Sequence, residues 1–167
     1  MDMTDSEMHL PYPSLGGLKR NRRQCELIFG AYSGRDSELT AITQYVYHEL
    51  IFDSLGYSDI AAQYEEIFVE EMRHLSLLGG AIIKLGGDPV YAVMPRGFWM
   101  ASFVTYSSEP CRMLLDDIAA ETAGIRGYKT ILPQLGDTPL AALIQRIIMD
   151  EERHLAAFKA MYAGIAG

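Results

Sequence analysis

The sequence reads Glu70-Glu71-Met72-Arg73-His74-Leu75 in one region and Asp150-Glu151-Glu152-Arg153-His154-Leu155 in another. Both stretches have the order acid, Glu, any residue, Arg, His, Leu. Residues three apart in an α-helix lie on the same face, so each stretch places one carboxylate beside one imidazole. Together they use two of the chain's four histidines. The repeat therefore indicates two helices that each carry a Glu-x-x-His pair.

Each pair interrupts an otherwise apolar stripe of its helix. The first stripe comprises Ile67, Glu71, His74, Leu78, Ile82 and Leu85, and the second comprises Ile144, Ile147, Glu151, His154, Phe158 and Met161. Two further helical patterns carry single glutamates, with Glu38, Ile42 and Tyr45 in one and Leu114, Ile118, Glu121, Ile125, Tyr128 and Leu132 in the other. Because an apolar stripe faces the core, we expect four helices to point glutamates inward.

Glycine, proline and capping residues divide the chain into segments. We expect an extended arm at residues 1–17, then a bundle domain over residues 18–167 that begins with a short helix at about 18–32. Four long helices are expected at about 37–55, 59–85, 108–135 and 138–163. Their expected caps are Asp36 or Ser37, Ser58, Ser107 or Ser108, and Asp137 or Thr138. Pro133 should bend the end of the third long helix.

The connections between the long helices predict their arrangement. The first and second are joined by about two residues and the third and fourth by about three, which predicts two antiparallel hairpins. About 20 residues, 87–107, separate the second helix from the third and can span the length of a helix of ~30 Å. The expected fold class is all-α, a four-helix bundle with one long crossover between helices 2 and 3.

Four carboxylates in an apolar interior need compensating positive charge. No Lys or Arg lies on the four stripes, so two divalent cations are the simplest compensation. Helical rise places Glu121 and Glu151 level with each other, ~22 Å from the turn that joins their helices. In the other hairpin, Glu38 comes closer to the level of Glu71 than Glu49 does, and Glu49 is the alternative if the register differs.

The chemistry of these side chains favours particular metals. One Glu from each of two helices and a Glu-x-x-His from each of the others form the ligand set of di-iron and di-manganese carboxylate bundles. Carboxylate oxygens with one imidazole per metal suit Fe(II) or Mn(II). We expect two iron ions, with manganese as the alternative and zinc as an adventitious occupant. The two cysteines, Cys25 and Cys111, lie too far apart for a Cys-x-x-Cys site.

At these residues the chain resembles the rubrerythrin and bacterioferritin branch of the ferritin-like superfamily. The resemblance covers about residues 37–162, and its most telling stretches are 37–42 with Tyr45, 70–75 and 150–154. It implies that Glu71 and Glu151 bridge two metals and that Tyr45 and Tyr128 hydrogen-bond the ligands; the alternative for the tyrosines is a role as core aromatics. The implied metal ligands are Glu38, Glu71, His74, Glu121, Glu151 and His154.

Three features depart from that branch. Rubrerythrins have a further glutamate where Gly124 stands, and they carry a rubredoxin module for which this chain lacks the cysteines. Bacterioferritins continue into a short fifth helix, whereas this sequence stops at Gly167, so we expect no hollow shell. Met72 occupies the position of the haem-ligating methionine of bacterioferritins. Because haem-free relatives also have a methionine there, haem is not expected.

The acids that precede the two ligand glutamates have two interpretations. Glu70 and Asp150 either accept hydrogen bonds from ligand histidines across the bundle or are solvated acids. Arg73 and Arg153 are expected in surface or interhelical ion pairs.

Other polar and aromatic residues are expected to have structural roles. His9 and His48 are not expected to bind metal. A basic cluster is expected to form a solvated face, and it comprises Lys19, Arg20, Arg22 and Arg23. Aromatic and apolar residues of the crossover are expected to cover the bundle or a partner subunit; they are Tyr91, Met94, Phe98 and Trp99.

Composition excludes several classes of protein. The net charge of -8 argues against a nucleic-acid partner. No apolar run reaches the ~18 residues of a membrane span, and residues 1–10 contain no apolar signal region. We therefore expect no membrane partner and a cytoplasmic location.

Three functions agree with this pattern. The favoured one is a redox enzyme that reduces peroxide or activates dioxygen, supplied with electrons by an external donor. The second is iron handling, in which the centre oxidises Fe(II) in passage. The third is a non-catalytic bundle that metals stabilise. The apolar crossover also favours a homodimer.

Overall fold

A computed structural model describes residues 11–93 and 97–167. Helices account for nearly all of its regular structure, and within these residues the β-structure is limited to one isolated bridge between Ala92 and Phe98. The α-helices are α1 (Arg22–Ser33), α2 (Glu38–Ser54), α3 (Ser58–Leu85), α4 (Pro110–Ile131) and α5 (Pro139–Ala166). Short 3-10 turns cover Ala101–Phe103 and Leu132–Gln134. The all-α prediction is confirmed, and α2 to α5 are the four predicted long helices.

Two hairpins build the bundle. The α2 and α3 helices pack along each other, as do α4 and α5. Gly56 in the first turn has φ 84° and Gly136 in the second has φ 65°, a left-handed conformation that glycine adopts without strain. The segment between Leu85 and Pro110 is the predicted long crossover from α3 to α4.

The helix ends follow the predicted capping chemistry in part. Ser37 caps α2 and Thr138 caps α5, each accepting a hydrogen bond from the backbone N–H three residues later. The prediction of Ser58 as a cap is wrong, because Tyr57 occupies that position and makes no capping hydrogen bond. Glu109, rather than Ser107 or Ser108, caps α4. Its carboxylate accepts hydrogen bonds from two backbone N–H groups, which a serine hydroxyl satisfies less well.

Proline acts as expected at the end of α4. The α-helix ends at Ile131, and the 3-10 turn that follows contains Pro133. Because proline lacks the N–H that would continue the α-helical ladder, the last turn tightens before the connection to α5.

Two apolar clusters fill the bundle and leave a polar layer between them. On α3, Ile67 belongs to one cluster and Leu78 to the other. On α5, Ile147 and Phe158 belong to different clusters in the same way. The residues between these positions include both Glu-x-x-His pairs. The candidate site therefore lies at mid-height, with apolar side chains on both sides.

The N-terminal segment packs on the bundle. The α1 helix contacts α3 and buries the side chains of Cys25, Ile28, Phe29 and Tyr32. It begins at Arg22 rather than near residue 18, since Asn21 accepts a hydrogen bond from the Gln24 backbone. Residues 11–20 contain no regular helix. The predicted basic cluster is exposed, as expected. Residues 1–10, which include His9 and most of the predicted arm, lie outside the described residues.

Some residues of the crossover contact the bundle, and others face outward. The indole N–H of Trp99 donates a hydrogen bond of 2.9 Å to Thr40 on α2. Phe98, however, is 72% exposed, and Tyr91 is also exposed. Met94 lies outside the described residues. Within the part of the chain that the structure describes, no helix is both long and apolar enough to cross a membrane.

Candidate metal centre

The four bundle helices bring the six predicted site residues to one layer. The α2 helix contributes Glu38 and α4 contributes Glu121, while α3 and α5 each contribute one Glu-x-x-His pair. All six side chains are buried. Their helices place them there because each residue interrupts an apolar stripe whose other members are mostly buried.

These residues form two overlapping groups. In each group, one potential ligand atom from every member lies within 4.8 Å of the others. One group is Glu38, Glu71, His74 and Glu151, and the other is Glu71, Glu121, Glu151 and His154. Glu71 and Glu151 belong to both groups. The arrangement offers two adjacent positions for metal ions, with two carboxylates shared between them.

Both histidines point the same ring nitrogen inward. His74 Nδ1 lies 3.1 Å from Glu71 Oε2 and 3.1 Å from Glu151 Oε1. His154 Nδ1 lies 2.7 Å from Glu71 Oε1 and 3.8 Å from Glu151 Oε2. The inward nitrogens therefore face the two shared carboxylates from opposite helices.

Three inward-facing atoms lack hydrogen bonds. Although two of them lie close to each other, three buried side-chain atoms of the described residues have no partner with hydrogen-bond geometry; they are Glu71 Oε1, Glu151 Oε1 and His154 Nδ1. An unpartnered buried polar atom costs ~1–3 kcal/mol or more. These three atoms all belong to one of the two groups described above. Their lone pairs fit a divalent cation, which would satisfy all three at once.

The electrostatics of the cluster show why positive charge is needed. Burial, followed by repulsion from Glu151 and Glu71, raises the pKa of both Glu38 and Glu121 well above the usual range. Burial opposes charge on His74 and His154, but the surrounding carboxylates raise the pKa of both imidazoles well above the ordinary value. A cation between the carboxylates would replace those protons and leave each imidazole neutral.

The outward nitrogens of both histidines bond to the neighbouring acids across the bundle. His154 Nε2 lies 2.8 Å from Glu70, and His74 Nε2 lies 3.2 Å from Asp150. Of the two interpretations of these acids, the structure supports the first, in which each lies within hydrogen-bond distance of a histidine across the bundle. Arg153 also pairs with Glu70 and lies 3.2 Å from Asp150, which confirms an interhelical ion pair.

Sequence reasoning missed Tyr12. Its hydroxyl donates a hydrogen bond of 2.7 Å to Asp150 and lies 3.0 Å from His74 Nε2. The guanidinium groups of Arg73 and Arg146 both lie over its ring, each 4.7 Å from the ring centroid. Tyr12 stands between two prolines in a segment without periodicity, so no helical pattern pointed to it.

The two predicted tyrosines hydrogen-bond Glu38 and Glu121, the two glutamates that each belong to a single ligand group. Tyr45 donates a bond of 2.6 Å to Glu121, and Tyr128 donates one to Glu38. Both phenols are buried. Each hydroxyl holds one oxygen of its carboxylate, which orients the other oxygen of the carboxylate in the layer.

A second buried polar network, also missed, lies beside the centre. Asp117 is one turn before Glu121 on α4, and it accepts hydrogen bonds from Tyr64 and Gln44. His48 Nδ1 lies 2.8 Å from Asp117, and His48 Nε2 lies 3.1 Å from a crossover carbonyl. His48 belongs to neither ligand group, as expected. The network ties the crossover to α2 and α4.

The bundle with one long crossover and the carboxylate-rich layer are typical of di-metal carboxylate proteins. A sequence model described as the Ferritin-like domain matches residues 36–166, so the chain belongs to the ferritin family. It is a member of the ferritin-like superfamily of di-iron carboxylate proteins, as the sequence predicted.

The relatives agree with this assignment. A bacterioferritin from Desulfovibrio desulfuricans is 31% identical over 143 residues, which cover 84% of this chain and 76% of the relative. The bacterioferritin BfrA from Mycobacterium tuberculosis is 29% identical over 122 residues, covering 71% of this chain and 72% of the relative. The resemblance to bacterioferritins is therefore confirmed, whereas the resemblance to rubrerythrins stays a prediction.

Solved structures show the same fold. The X-ray structure of the Desulfovibrio desulfuricans bacterioferritin, a protein with a diiron site, matches with a TM-score of 0.74 and 28% identity, covering 86% of this chain and 80% of the other. The manganese catalase KatB from Anabaena matches with a TM-score of 0.85 over 99% of this chain and 81% of the other. Its 19% identity makes this a similarity of fold alone.

Proposed function

We propose that the chain is a di-metal oxidoreductase that reduces peroxide or activates dioxygen. The ligands of two metal ions in this proposal are Glu38, Glu71, His74, Glu121, Glu151 and His154. The observation that carries the proposal is the pair of overlapping ligand groups, with unpartnered inward atoms on Glu71, Glu151 and His154. Two such ions in their reduced state would supply the two electrons that reduction of an O–O bond requires.

Iron is the metal we propose. Carboxylate oxygens with one imidazole per metal suit Fe(II) and Mn(II), and the bacterioferritin relatives favour iron. Manganese is the alternative, and zinc would bind adventitiously. The residues of this chain have three roles toward the ions. Glu71 and Glu151 would bridge both ions, Glu38 and Glu121 would bind one ion each, and each histidine would bind through Nδ1.

The surrounding residues hold that geometry. With metal bound, the acids Glu70 and Asp150 would accept the outward N–H of the histidines, which would leave Nδ1 of each imidazole to bind an ion. Tyr45 and Tyr128 each restrain a terminal carboxylate. Apolar clusters on both sides exclude bulk water, and this protects a reduced centre from side reactions.

The size of the cavity beside the centre favours a small substrate. The cavity measures about 40 Å³ and is lined by the carboxylates Glu38, Glu121 and Glu151. A water molecule needs ~10–15 Å³ on the same measure, so the cavity fits peroxide or dioxygen rather than a larger organic molecule. Reduction of hydrogen peroxide to two waters consumes two electrons and two protons. Continued turnover would then need an external electron donor, or a second peroxide as the reductant.

Iron handling is the second candidate function. It is favoured by the bacterioferritin relatives and by a cleft of about 390 Å³ next to His154. The cleft is lined by Glu66 and Glu70 among other residues, and it would give Fe(II) a path to the centre. In this case the ions that enter the centre are substrate and would leave after oxidation.

Metal content and a single-turnover reaction test the proposal. Elemental analysis of untagged protein, purified without chelators, should find about two metal ions per chain. The Fe(II)-loaded protein is then mixed anaerobically with one equivalent of hydrogen peroxide in a stopped-flow instrument, and the near-ultraviolet absorbance is followed. Rapid oxidation of both irons by one peroxide supports the oxidoreductase. Glu121→Ala should abolish the fast phase, and the exposed Glu65→Ala should retain it.

Other outcomes separate the alternatives. Release of oxygen from peroxide without added reductant indicates disproportionation. Continuous oxidation of excess Fe(II) by dioxygen, with slow reaction toward peroxide, favours iron handling. Tightly bound zinc without redox reaction contradicts both functions and leaves a bundle that metals stabilise. The predicted homodimer stays a prediction, which sedimentation analysis of the same sample would check.

A further inference from the structure

Two neighbouring cavities lie between the α1 and α4 helices and the candidate metal centre. The inner cavity, of about 40 Å³, is bordered by three of the candidate ligand carboxylates and by both tyrosines that bond them. The outer cavity, of about 290 Å³, lies between α1 and α4. Both are lined by Ala31, Arg35, Asp36, Gly124 and Tyr128. Because they share these lining residues, the two cavities adjoin each other, and together they would form a route from the surface to the centre.

Gly124 occupies the position where the two cavities meet. It is on α4, one turn after Glu121, and a Cβ atom added there would have no heavy atom within 4 Å. Glycine in the middle of a helix is unfavourable relative to alanine. Position 124 therefore holds a residue that disfavours the helix although there is space for a side chain, and it lies one turn from the candidate ligand Glu121.

The lining of the inner cavity limits what can pass. Its small side chains, Ala31, Ala41 and Ala120, form the apolar wall, and the carboxylates form the end. The opposite charges of Arg35 and Asp36 in the shared lining offset each other, and the carboxylates at the end repel anions, so neutral molecules would enter in preference to anions. Its volume admits a molecule of a few heavy atoms.

We propose that Gly124 is the residue that sets the size limit on the oxidant, by keeping this route open to hydrogen peroxide and dioxygen. The inference rests on the proposed function, because it names the substrate class of that centre. A side chain at position 124 would narrow the passage while leaving every candidate ligand in place. Bulkier organic hydroperoxides would be excluded even in the wild type.

The test compares Gly124→Ala and Gly124→Leu with Gly127→Ala as a matched control. Gly127 is also on α4, has no heavy atom within 4 Å of an added Cβ, and lines only the outer cavity. Both alanine variants should raise Tm by ~2–4 °C, because alanine favours the helix. The prediction for Gly124→Ala is thus a more stable protein with a slower centre, which general damage to the fold would not produce.

Two readouts follow access to the centre. The first is the rate at which nitric oxide, a neutral diatomic probe, binds the Fe(II)-loaded protein without turnover. The second is the rate of oxidation by hydrogen peroxide and by tert-butyl hydroperoxide. We expect Gly124→Ala to slow nitric oxide and hydrogen peroxide by about tenfold and Gly124→Leu by about 100-fold. Metal content should stay unchanged, and tert-butyl hydroperoxide should react slowly with every form.

The outcomes distinguish failure of this inference from failure of the proposed function. Equal rates in the two alanine variants would overturn the route through Gly124, while a reactive wild type would leave the function intact. A fast reaction of the wild type with tert-butyl hydroperoxide would overturn the size limit. A wild-type protein that binds two irons but reacts with neither oxidant would overturn the function as well. If Gly124→Leu does not fold, Gly124→Ala alone carries the test.

Discussion

The two halves of the candidate metal centre are alike on the inside and different on the outside. Each histidine directs Nδ1 toward Glu71 and Glu151. Outside, His74 bonds to Asp150, which is 1% exposed and also accepts a hydrogen bond from Tyr12. His154 bonds to Glu70, whose side chain is 26% exposed and borders the cleft of about 390 Å³.

This difference shows how one repeated motif produces two unequal sites. The repeated six-residue pattern gives each histidine a carboxylate partner on the opposite helix. Among the described residues, however, the segment around Tyr12 contacts the His74 half. Burial opposes ionisation of Asp150, yet hydrogen bonds from His74, Arg146 and Tyr12 hold its pKa well below the usual range. We expect a metal in the His74 half to be held more firmly and to exchange more slowly than one in the His154 half.

The largest expected effect comes from a carboxylate that both halves share. Glu71→Ala should remove both ions, taking the metal content from about two per chain to near zero, whereas Glu121→Ala should weaken mainly the His154 half. Elemental analysis after dialysis measures this, with Glu65→Ala on the same helix as the control and circular dichroism as the check on folding. A Glu71→Ala protein that retains both ions would contradict the shared position of this residue.

The sequence predicts the inner part of the centre because that part depends on helical periodicity. The spacing of three between Glu71 and His74 determines their common face wherever the helix packs. Apolar residues around Glu38 and Glu121 then identify the other two inward faces, and the cost of burying carboxylates identifies the need for cations. The bundle and the meeting of all six residues could therefore be predicted without coordinates.

The remainder depends on contacts that periodicity does not encode. Tyr12 lies in a non-helical segment and contacts His74, which is 62 positions away. A signal did exist for Asp117, which follows Leu114 by three and precedes Glu121 by four, a core spacing. The predicted stripe used Ile118 instead, and the structure buries Asp117 completely and Ile118 only partly. Spacing alone does not place an acid in the core, because burial of an acid depends on hydrogen-bond partners that spacing does not reveal. For Asp117 these partners are Gln44 and Tyr64.

A smaller effect should separate the two outer acids. Loss of the hydrogen-bond partner of a ligand histidine typically costs 10–100-fold in metal affinity. For Asp150→Asn we expect metal affinity to decrease by about 100-fold, the upper end of this range, because the buried carboxylate also accepts hydrogen bonds from Arg146 and Tyr12. For Glu70→Gln we expect metal affinity to decrease by only about tenfold, since solvent compensates for part of the lost hydrogen bonding. Competition with a coloured chelator measures both affinities, and equal losses would contradict the inequality of the two halves.

Tyr12→Phe should reduce the difference in metal retention between the two halves of the centre without removing a candidate ligand. In the wild type we expect a chelator to remove metal in two phases, with the slow phase from the His74 half. The variant keeps the contacts of the ring with Arg73 and Arg146 but loses the hydroxyl. The slow phase should therefore accelerate by about three- to tenfold, and the free energy of unfolding should fall by ~1 kcal/mol. Tyr106→Phe, at an exposed position, is the matched control. A slow phase unaffected by Tyr12→Phe would show that this segment does not retain the metal.

The smallest expected effect concerns the difference in free energy of unfolding between the wild type and Tyr12→Phe, which should change at alkaline pH. Burial, reinforced by Asp150 and opposed by His74, raises the pKa of Tyr12 from 10.0 to about 12. Below pH 10 the phenol is neutral in the folded and unfolded chains, and its hydrogen bond contributes fully. Between about pH 10 and 12 the unfolded chain loses the proton first, so the free energy of unfolding of the wild type falls as pH rises.

Tyr12→Phe has no such proton, so the stability gap between the two proteins should close across this window. Urea unfolding of both proteins at a series of pH values from about 8 upward measures the gap, and the other tyrosines cancel because both proteins contain them. The comparison also separates the hydroxyl from the ring, whose contacts with Arg73 and Arg146 are the same in both proteins. A gap that stays constant to pH 12 would mean that folding does not raise the pKa of Tyr12, which would contradict a buried hydroxyl bonded to Asp150 and leave the ring contacts to hold the segment over the His74 half.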